Sequence, residues 1–390
     1  MSDPSNDIMT GFVDDLVARV LSGIGEEAVL SIFVGGSVAA GEEFLCRAGD
    51  EVEVYSDVDL YVVVDDAVDL QEARRRGREC AREVPLAGPG YKFYRSPDVG
   101  VYTFEDLASQ PARPGTVGLD RRHRMCFGDA TVPERAAKRI GSTIAPSEAL
   151  YLLENRLGEL AALEHELNRS GAGGSDGYYT FALGKAAMDA AGASFIVRGD
   201  YDPSRAQRIR NLDTLSEAAG VGGGWPAGAL DLVRRCAGRM DKMPAPDWAV
   251  GVDPAGEASE VVSLLLDRWK VIAGSIQGGN EDDWSEQVLR RCRIGDYLGN
   301  FRQFRAMNAR CGLIRRGAVA AGVHLSRYSP VDALRLAALM DYLGRRDADR
   351  PDVDRLVATL GTFLDRLTRE CGFLEGPLLE RTIDMYRAVQ

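Results

Sequence analysis

The 390-residue sequence has few of the residues that build common metal and redox sites. It contains three histidines, His123, His165 and His324, which are too far apart for an H-E-x-x-H motif or a helical ligand pair. Its seven cysteines are scattered and include no close C-x-x-C pair, a spacing that favours reduced, mostly structural thiols. We therefore expect the chemistry of this protein to depend on carboxylates.

Long apolar runs are also missing. No uncharged apolar stretch reaches about 18 residues, so we expect no transmembrane helix and no membrane partner. The first residues, 1 to 7, lack the basic and apolar regions of a signal peptide. The sequence therefore predicts a cytoplasmic protein.

Basic residues are also fewer than acidic residues in this chain. There are 47 basic and 59 acidic residues, and the net charge of −12 repels long polyanions, which disfavours binding of extended nucleic acid. Hydrophobic residues make up 45% and charged residues 27% of the chain, as in ordinary folded proteins. The length predicts two or three domains, and the oligomeric state is left open.

The hydrophobic pattern divides the chain into regions of different texture. Residues 8 to 22 repeat apolar pairs at helical spacing, and short apolar strands are predicted at 28 to 34, 59 to 64 and 98 to 104. After Pro146 the strand signals largely disappear and helical patterns take over. We predict an α+β protein with a head domain at 1–145, a helical domain at 146–280 and a C-terminal helical domain at 281–390.

The first predicted strand ends in Gly35-Gly36-Ser37. Glycines at such a turn allow a ligand to approach the backbone closely, and the N–H groups that follow can face an anion. The turn therefore suits a phosphate, although a strand that ends in Gly-Gly-Ser is by itself more often a plain turn.

The second predicted strand opens with two carboxylates, Asp57 and Asp59, two positions apart. This spacing places both on one face of an extended chain, where they repel each other unless a cation lies between them. Mg²⁺ prefers carboxylate and phosphate oxygens and can hold a triphosphate. The alternative interpretation is a solvated strand end.

Together, Gly36-Ser37, Gly41-Glu42 and Ser56-Asp57-Val58-Asp59-Leu60 resemble the signature of the DNA polymerase β-like nucleotidyltransferase superfamily. The resemblance covers roughly residues 28 to 110 and implies a small mixed-sheet head, Mg²⁺ as cofactor and an NTP as substrate. The gap between turn and aspartates is longer than in the smallest members, so we expect an inserted hairpin or loop over about 43 to 55.

The resemblance also implies a third carboxylate on a neighbouring strand, which would hold the ion and accept the proton of the attacking hydroxyl. Asp98, at the start of the third predicted strand, is our candidate. Glu105 and Asp106 are the alternatives, because some members carry the acid at the position that Gly100 occupies here. If none of the three serves, the fold is catalytically degenerate.

The resemblance further implies a lysine on the triphosphate, and Lys185 is the candidate among only five lysines. A solvated surface lysine is the alternative. Tyr178 and Tyr179 precede it, and aromatic residues at the start of a helix are more often part of a core than of a base-binding site.

The function that this resemblance implies is metal-dependent transfer of a nucleoside monophosphate from an NTP to a hydroxyl of a small-molecule acceptor, with release of pyrophosphate. Eight arginines between positions 290 and 316 favour the alternative of a protein, RNA or nucleotide acceptor, or else form a solvated face. A scaffold that kept the fold without the chemistry is the non-enzymatic alternative.

Overall fold

The structure is a computed structural model that describes residues 4–170, 176–216, 224–226, 228–241, 252–277 and 337–342, with 345 and 382. Contacts divide the chain into two compact units. The first comprises Met1–Ala145, Gly199–Asp213 and Arg234–Val252, and the second comprises Pro146–Arg198, Thr214–Val233 and Asp253–Gln390. The first unit thus combines the predicted head with two later segments. The arginine-rich segment 290–316 and most of the predicted domain 281–390 lie outside the described residues.

The fold is α+β, and its elements follow in chain order. The strands are β1 (Val29–Val34), β2 (Leu45–Ala48), β3 (Glu51–Val54), β4 (Asp59–Val64), β5 (Ala87–Gly88), β6 (Tyr91–Phe93), β7 (Asp98–Thr103) and β8 (Arg124–Gly128). The helices are α1 (Pro4–Ile24), α2 (Gly36–Ala39), α3 (Leu70–Glu83), α4 (Phe104–Ala108), α5 (Val132–Ile140), α6 (Ser147–Ser170), α7 (Asp176–Arg198), α8 (Arg205–Arg210), α9 (Ala229–Met240) and α10 (Pro254–Gln277).

The first sheet of the first unit is mixed and has the strand order β7-β4-β1-β8. Strands β1 and β4 are antiparallel, as are β1 and β8, whereas β4 and β7 are parallel. The parallel register places Asp59 beside Asp98 at the start of both strands. The three strands predicted from the sequence are confirmed as β1, β4 and β7, and all three lie in this sheet.

Alternation along β4 gives the first sheet one fully apolar face. Leu60, Val62 and Val64 are buried in one cluster with Val13 and Leu16 of α1. Each fully buried side chain of this size contributes about 1.5 to 3 kcal/mol. This face holds α1, whose predicted span of 8 to 22 is confirmed within the longer helix.

The opposite face of the first sheet carries a smaller core and the carboxylates. Phe33 and Val63 are buried with Leu107, and the Tyr61 ring stacks on Phe33 at 5.1 Å between ring centres. Because residues two apart on a strand share a face, Asp59 projects on the same side as Tyr61 and Val63. The first sheet therefore has an apolar core on one side and the candidate chemistry on the other.

The second sheet has the order β2-β3-β6-β5 and contains the predicted insertion. Strands β2 and β3 form an antiparallel hairpin whose turn includes Gly49 at φ +67°, so the hairpin expected over 43 to 55 is confirmed. The hairpin also pairs in parallel with β6, where Val54 lies beside Phe93. Phe93 in turn stacks on Phe12 of α1 at 3.9 Å, which joins the second sheet to the core of the head.

The second unit is helical in the part that the structure describes, where α6, α7 and α10 pack against one another. Its core includes Trp269, whose indole N–H donates to Glu154 at 2.9 Å. Arg156 of α6 pairs with Asp189 of α7 at 2.7 Å. The helices predicted from Ser147 and over 178 to 198 are confirmed as α6 and α7.

Candidate active site

The three candidate carboxylates meet where the two sheets adjoin. Strands β3 and β6 run toward this point as a parallel pair, and β4 and β7 leave it as another parallel pair. Asp57 lies in the short link before β4, whereas Asp59 and Asp98 open β4 and β7 side by side. Neighbouring strands are about 4.8 Å apart, so these two side chains project next to each other. The structure thus brings together all three residues predicted from the sequence.

The charges of these carboxylates influence one another. Asp98 keeps an exposed surface, but the protein atoms around its carboxylate raise its pKa, and the nearby Asp57 carboxylate raises it further. The pKa of the neighbouring Tyr61 phenol is raised mainly by burial, with contributions from Asp59 and Asp98. Such mutual repulsion is what a bound cation would relieve.

The predicted phosphate turn packs directly on Asp59. The Gly35 N–H donates to the Asp59 carbonyl at 2.9 Å, which ties the end of β1 to the start of β4. Gly36 has φ +65°, and a Cβ added there would lie 2.6 Å from the Asp59 carboxylate oxygen Oδ2. A Cβ on Gly35 would lie 2.7 Å from the Tyr61 ring. Both glycines are therefore required by the close approach of β4 to the turn.

Ser37 belongs to a small hydrogen-bond relay that positions this turn. Its hydroxyl bonds to that of Ser56 at 3.3 Å, and Ser56 accepts the Phe44 N–H at 2.8 Å. Ser56 is 2% exposed and immediately precedes Asp57. The relay links α2, the base of the inserted hairpin and the segment that carries the aspartates.

Glu42, from the Gly-Glu pair of the sequence signature, connects distant parts of the first unit. It pairs with Arg122 at 2.7 Å and accepts hydrogen bonds from the Ser204 hydroxyl at 3.2 Å and the Arg205 N–H at 3.3 Å. Arg205 lies over the Phe44 ring at 4.3 Å. Arg122 and Arg205 were not singled out in the sequence, because no local pattern reports contacts between residues this far apart.

The two alternatives to Asp98 lie at the other end of β7. Glu105 pairs with Arg139 at 2.5 Å, and Asp106 pairs with Arg74 at 3.0 Å, both from the start of α4. Asp98 is the acid that faces Asp59 in the strand register. The geometry therefore favours Asp98 over the other two.

Helix α3 carries a cluster of arginines, Arg74, Arg75, Arg76 and Arg78, that is in part a solvated face. Arg75 and Arg76 are exposed and pair with Glu72 on the same helix. Arg74 differs, because it donates to the Val101 carbonyl of β7 at 2.9 Å and pairs with Asp106. It therefore fastens the helix to the strand that carries Asp98.

Lys185 and its neighbouring tyrosines belong to the second unit. Lys185 is partly exposed on α7, and its ammonium lies 6.0 Å from the centre of the Phe181 ring. Tyr179 is buried and donates to Glu164 at 3.2 Å, consistent with a core position. The contact of Lys185 with a triphosphate stays a prediction.

The donor set at the carboxylates fits Mg²⁺ bound together with a nucleotide. Among the residues that the structure describes, no group of three or more His, Cys, Asp or Glu side chains is arranged to hold a metal ion. Mg²⁺ is usually held by one or two carboxylates with waters and substrate phosphates completing the octahedron. Asp57 and Asp59, close to the glycine turn, provide that kind of partial site.

Comparison with known proteins found no matching family model and no similar curated protein. Among the described residues, no helix is both long and apolar enough to cross a membrane. The functional interpretation therefore depends on the residues of the site.

Proposed function

We propose that this chain is a metal-dependent nucleotidyltransferase, which transfers a nucleoside monophosphate from an NTP to a hydroxyl of a small-molecule acceptor and releases pyrophosphate. The observation that carries the proposal is the packing of Gly36 against Asp59 while Asp59 lies beside Asp98. The glycine turn after β1, Asp57 and Asp59 at the start of β4, and Asp98 at the start of β7 then lie next to one another.

Each part of the site has a role in this reaction. The backbone of Gly35, Gly36 and Ser37 holds the phosphates, and Asp57 and Asp59, with Asp98, bind Mg²⁺. When bound, Mg²⁺ neutralises the charge of the triphosphate and of the leaving pyrophosphate. Catalysis by these residues is largely positioning and charge neutralisation.

Asp98 handles the proton of the acceptor. The acceptor hydroxyl oxygen bonds to the α-phosphorus, the bond from that phosphorus to the pyrophosphate oxygen breaks, and the proton passes to the Asp98 carboxylate. A carboxylate within hydrogen-bond reach of the attacking hydroxyl can act as its general base. The proton then leaves to solvent.

The proposed acceptor is small because of the net charge of −12, which disfavours a long polyanion. The proposed location is the cytoplasm. An anionic acceptor such as RNA or a second nucleotide is favoured by one observation, the eight arginines between 290 and 316. Products formed from NTP and Mg²⁺ alone would support that alternative.

Calorimetric titration of each NTP, with and without Mg²⁺, tests the proposal without an acceptor. We expect the wild type to bind an NTP only with Mg²⁺, and Asp57→Asn/Asp59→Asn to weaken binding by about 100-fold or more. The matched control is Asp50→Asn/Asp66→Asn, which removes the same charge from exposed positions and should bind normally. No binding by the wild type, or equal binding by both double variants, would favour a non-catalytic scaffold.

A further inference from the structure

Tyr102 lies on the same face of β7 as Asp98, with Gly100 between them. The parallel register places Gly100 beside Tyr61 and Tyr102 beside Val63, so this face continues the row that begins at Asp59 and Asp98. Asp98 and Tyr102 are four residues, or about 13 Å, apart along the strand. The Tyr102 phenol therefore approaches Asp98 only if its ring leans back along the strand over Gly100.

The ring does lean that way, because Gly100 has no side chain. A Cβ on Gly100 would lie 2.6 Å from both Cε2 and the hydroxyl oxygen of Tyr102. The backbone of Gly100 lies outside the left-handed region, so its conformation alone does not require glycine. The glycine instead provides the space in which the Tyr102 hydroxyl lies above the strand, on the side of Asp98.

The Tyr102 hydroxyl differs from those of three other tyrosines of this unit, Tyr55, Tyr61 and Tyr94. Tyr61 donates to the Gly115 carbonyl at 3.2 Å, and Tyr55 and Tyr94 donate to Glu53 at 2.6 and 2.8 Å. Tyr102 is only half-buried, and its hydroxyl makes no hydrogen bond to any residue that the structure describes. A directed donor beside carboxylates, without a protein acceptor, is available to a ligand.

The protonation state of Tyr102 suits a donor. Burial raises its pKa, the Asp98 charge raises it further, and Arg74 opposes the shift. The phenol therefore keeps its proton at neutral pH. It can donate a hydrogen bond to an oxygen of a bound molecule but cannot act as the base.

Resting on the proposed function, we infer that the Tyr102 hydroxyl binds the acceptor, and that the acceptor is a vicinal diol with one hydroxyl at Asp98 and the neighbouring oxygen on Tyr102. The strand order supports placing the acceptor at Tyr102. The phosphate turn follows β1 and Asp59 lies on β4, whereas Asp98 and Tyr102 lie on the edge strand β7, on the side of Asp59 away from that turn. A monohydric alcohol can use only the first of these contacts.

The test compares matched pairs of acceptors with α-labelled ATP and Mg²⁺. Labelled adducts are measured for trans-1,2-cyclohexanediol against cyclohexanol and for glycerol against 1-propanol. We expect the wild type to transfer preferentially to the diols and Tyr102→Phe to reduce that preference by about 3- to 10-fold, the effect of one neutral hydrogen bond. MgATP affinity should stay within about twofold, because the acceptor contact is not part of the nucleotide site.

Two further variants separate the hydroxyl contact from a packing effect. Gly100→Ala keeps the hydroxyl but pushes the ring away, so it should lower the diol preference as Tyr102→Phe does. Tyr91→Phe is the matched control, because Tyr91 lies over Gly88 in a similar way on the second sheet and should keep the preference. If Gly100→Ala does not fold, Tyr102→Phe decides, since it retains the ring.

The outcomes distinguish this inference from the proposed function. The role of Tyr102 is overturned if the diol preference survives in Tyr102→Phe. It is also overturned if the wild type binds MgATP but shows no diol preference or no transfer to a diol. Failure of the wild type to bind MgATP through Asp57 and Asp59 overturns the proposed function, and the inference with it.

Discussion

At the scale of single residues, Gly36 and Gly41 allow two effects of an added Cβ to be separated: backbone strain, and a steric clash with Asp59. Both have positive φ, +65° and +62°, but only a Cβ on Gly36 would meet Asp59, whereas that on Gly41 meets nothing within 4 Å. We expect Gly36→Ala and Gly41→Ala each to lower stability by about 1 to 2 kcal/mol. Only Gly36→Ala should abolish MgATP binding, measured by calorimetry beside urea unfolding. Equal binding by the two variants would contradict the close packing of the turn on Asp59.

Asp98 gives a second prediction at this scale, on pH dependence. Its folded pKa is raised above the ordinary value of 3.8, so the folded state binds this proton more tightly than the unfolded state. The stability contributed by Asp98 therefore falls as the pH rises from about 3.8 through the folded pKa, and the penalty then stays constant. Asp98→Asn removes the penalty and should be more stable than the wild type near neutral pH.

Thermal melting from about pH 3.5 to 7 measures this difference, which should disappear in acid. Saturating Mg²⁺ and ATP should raise the melting temperature of the wild type more than that of Asp98→Asn, because ligands stabilise the state that binds them. An Asp98→Asn variant that is less stable by the same amount at every pH would contradict the raised pKa.

At the scale of elements, the Glu42–Arg122 pair attaches segment 199–213 to the head. Both side chains are mostly buried, at 18% and 19% exposure, and Glu42 also accepts from Ser204 and the Arg205 N–H. We expect Glu42→Ala to cost about 2 to 4 kcal/mol in urea unfolding, because it removes the counter-charge of Arg122 and leaves that mostly buried guanidinium with only the Pro203 carbonyl as acceptor. Asp15→Ala, which breaks the exposed Asp15–Arg19 pair, is the control and should cost less than about 1 kcal/mol. Equal losses would show that Glu42 does not fasten the segment.

The elements also show how far local patterns reach. Strands β1, β4 and β7 could be predicted because each is a run of apolar, partly β-branched residues, and α1, α6 and α7 because their apolar spacing is helical. Strand β8 (Arg124–Gly128) was missed because Arg-Met-Cys-Phe-Gly neither alternates nor is β-branched. Strands β5 and β6 are only two and three residues long, too short for any periodic signal.

In the candidate site, too, the residues that share a local sequence pattern could be predicted and those joined by distant contacts could not. Asp57, Asp59 and the glycine turn are close in sequence and could be identified from their spacing. The partner of Asp59 on β7 depends on a strand register that no local pattern contains, so Asp98 could only be one of three alternatives. The contacts of Arg122 and Arg205 with the head arise from tertiary packing alone. The position of the Tyr102 ring over Gly100 is a local contact within β7, but no periodic pattern reports a rotamer.

At the scale of the whole molecule, charge limits the partners. With a net charge of −12, the chain should not bind a labelled DNA duplex at about 0.15 M salt, which fluorescence anisotropy measures. Calf-thymus histone, a polycation, is the positive control for detectable duplex binding under the same conditions. Saturable binding that weakens steeply with salt would contradict this expectation and favour the nucleic-acid alternative.

The most direct test of the proposed cation site is a crystal structure with Mn²⁺ and an ATP analogue whose α,β-bridging oxygen is replaced by methylene. Anomalous scattering locates Mn²⁺, which shares the oxygen ligands of Mg²⁺. We expect an anomalous peak coordinated by Asp57 and Asp59, with the phosphates against Gly35-Gly36-Ser37 and Asp98 beside the α-phosphorus. Bound nucleotide and Mn²⁺ elsewhere, with no peak at these aspartates, would contradict the proposed function.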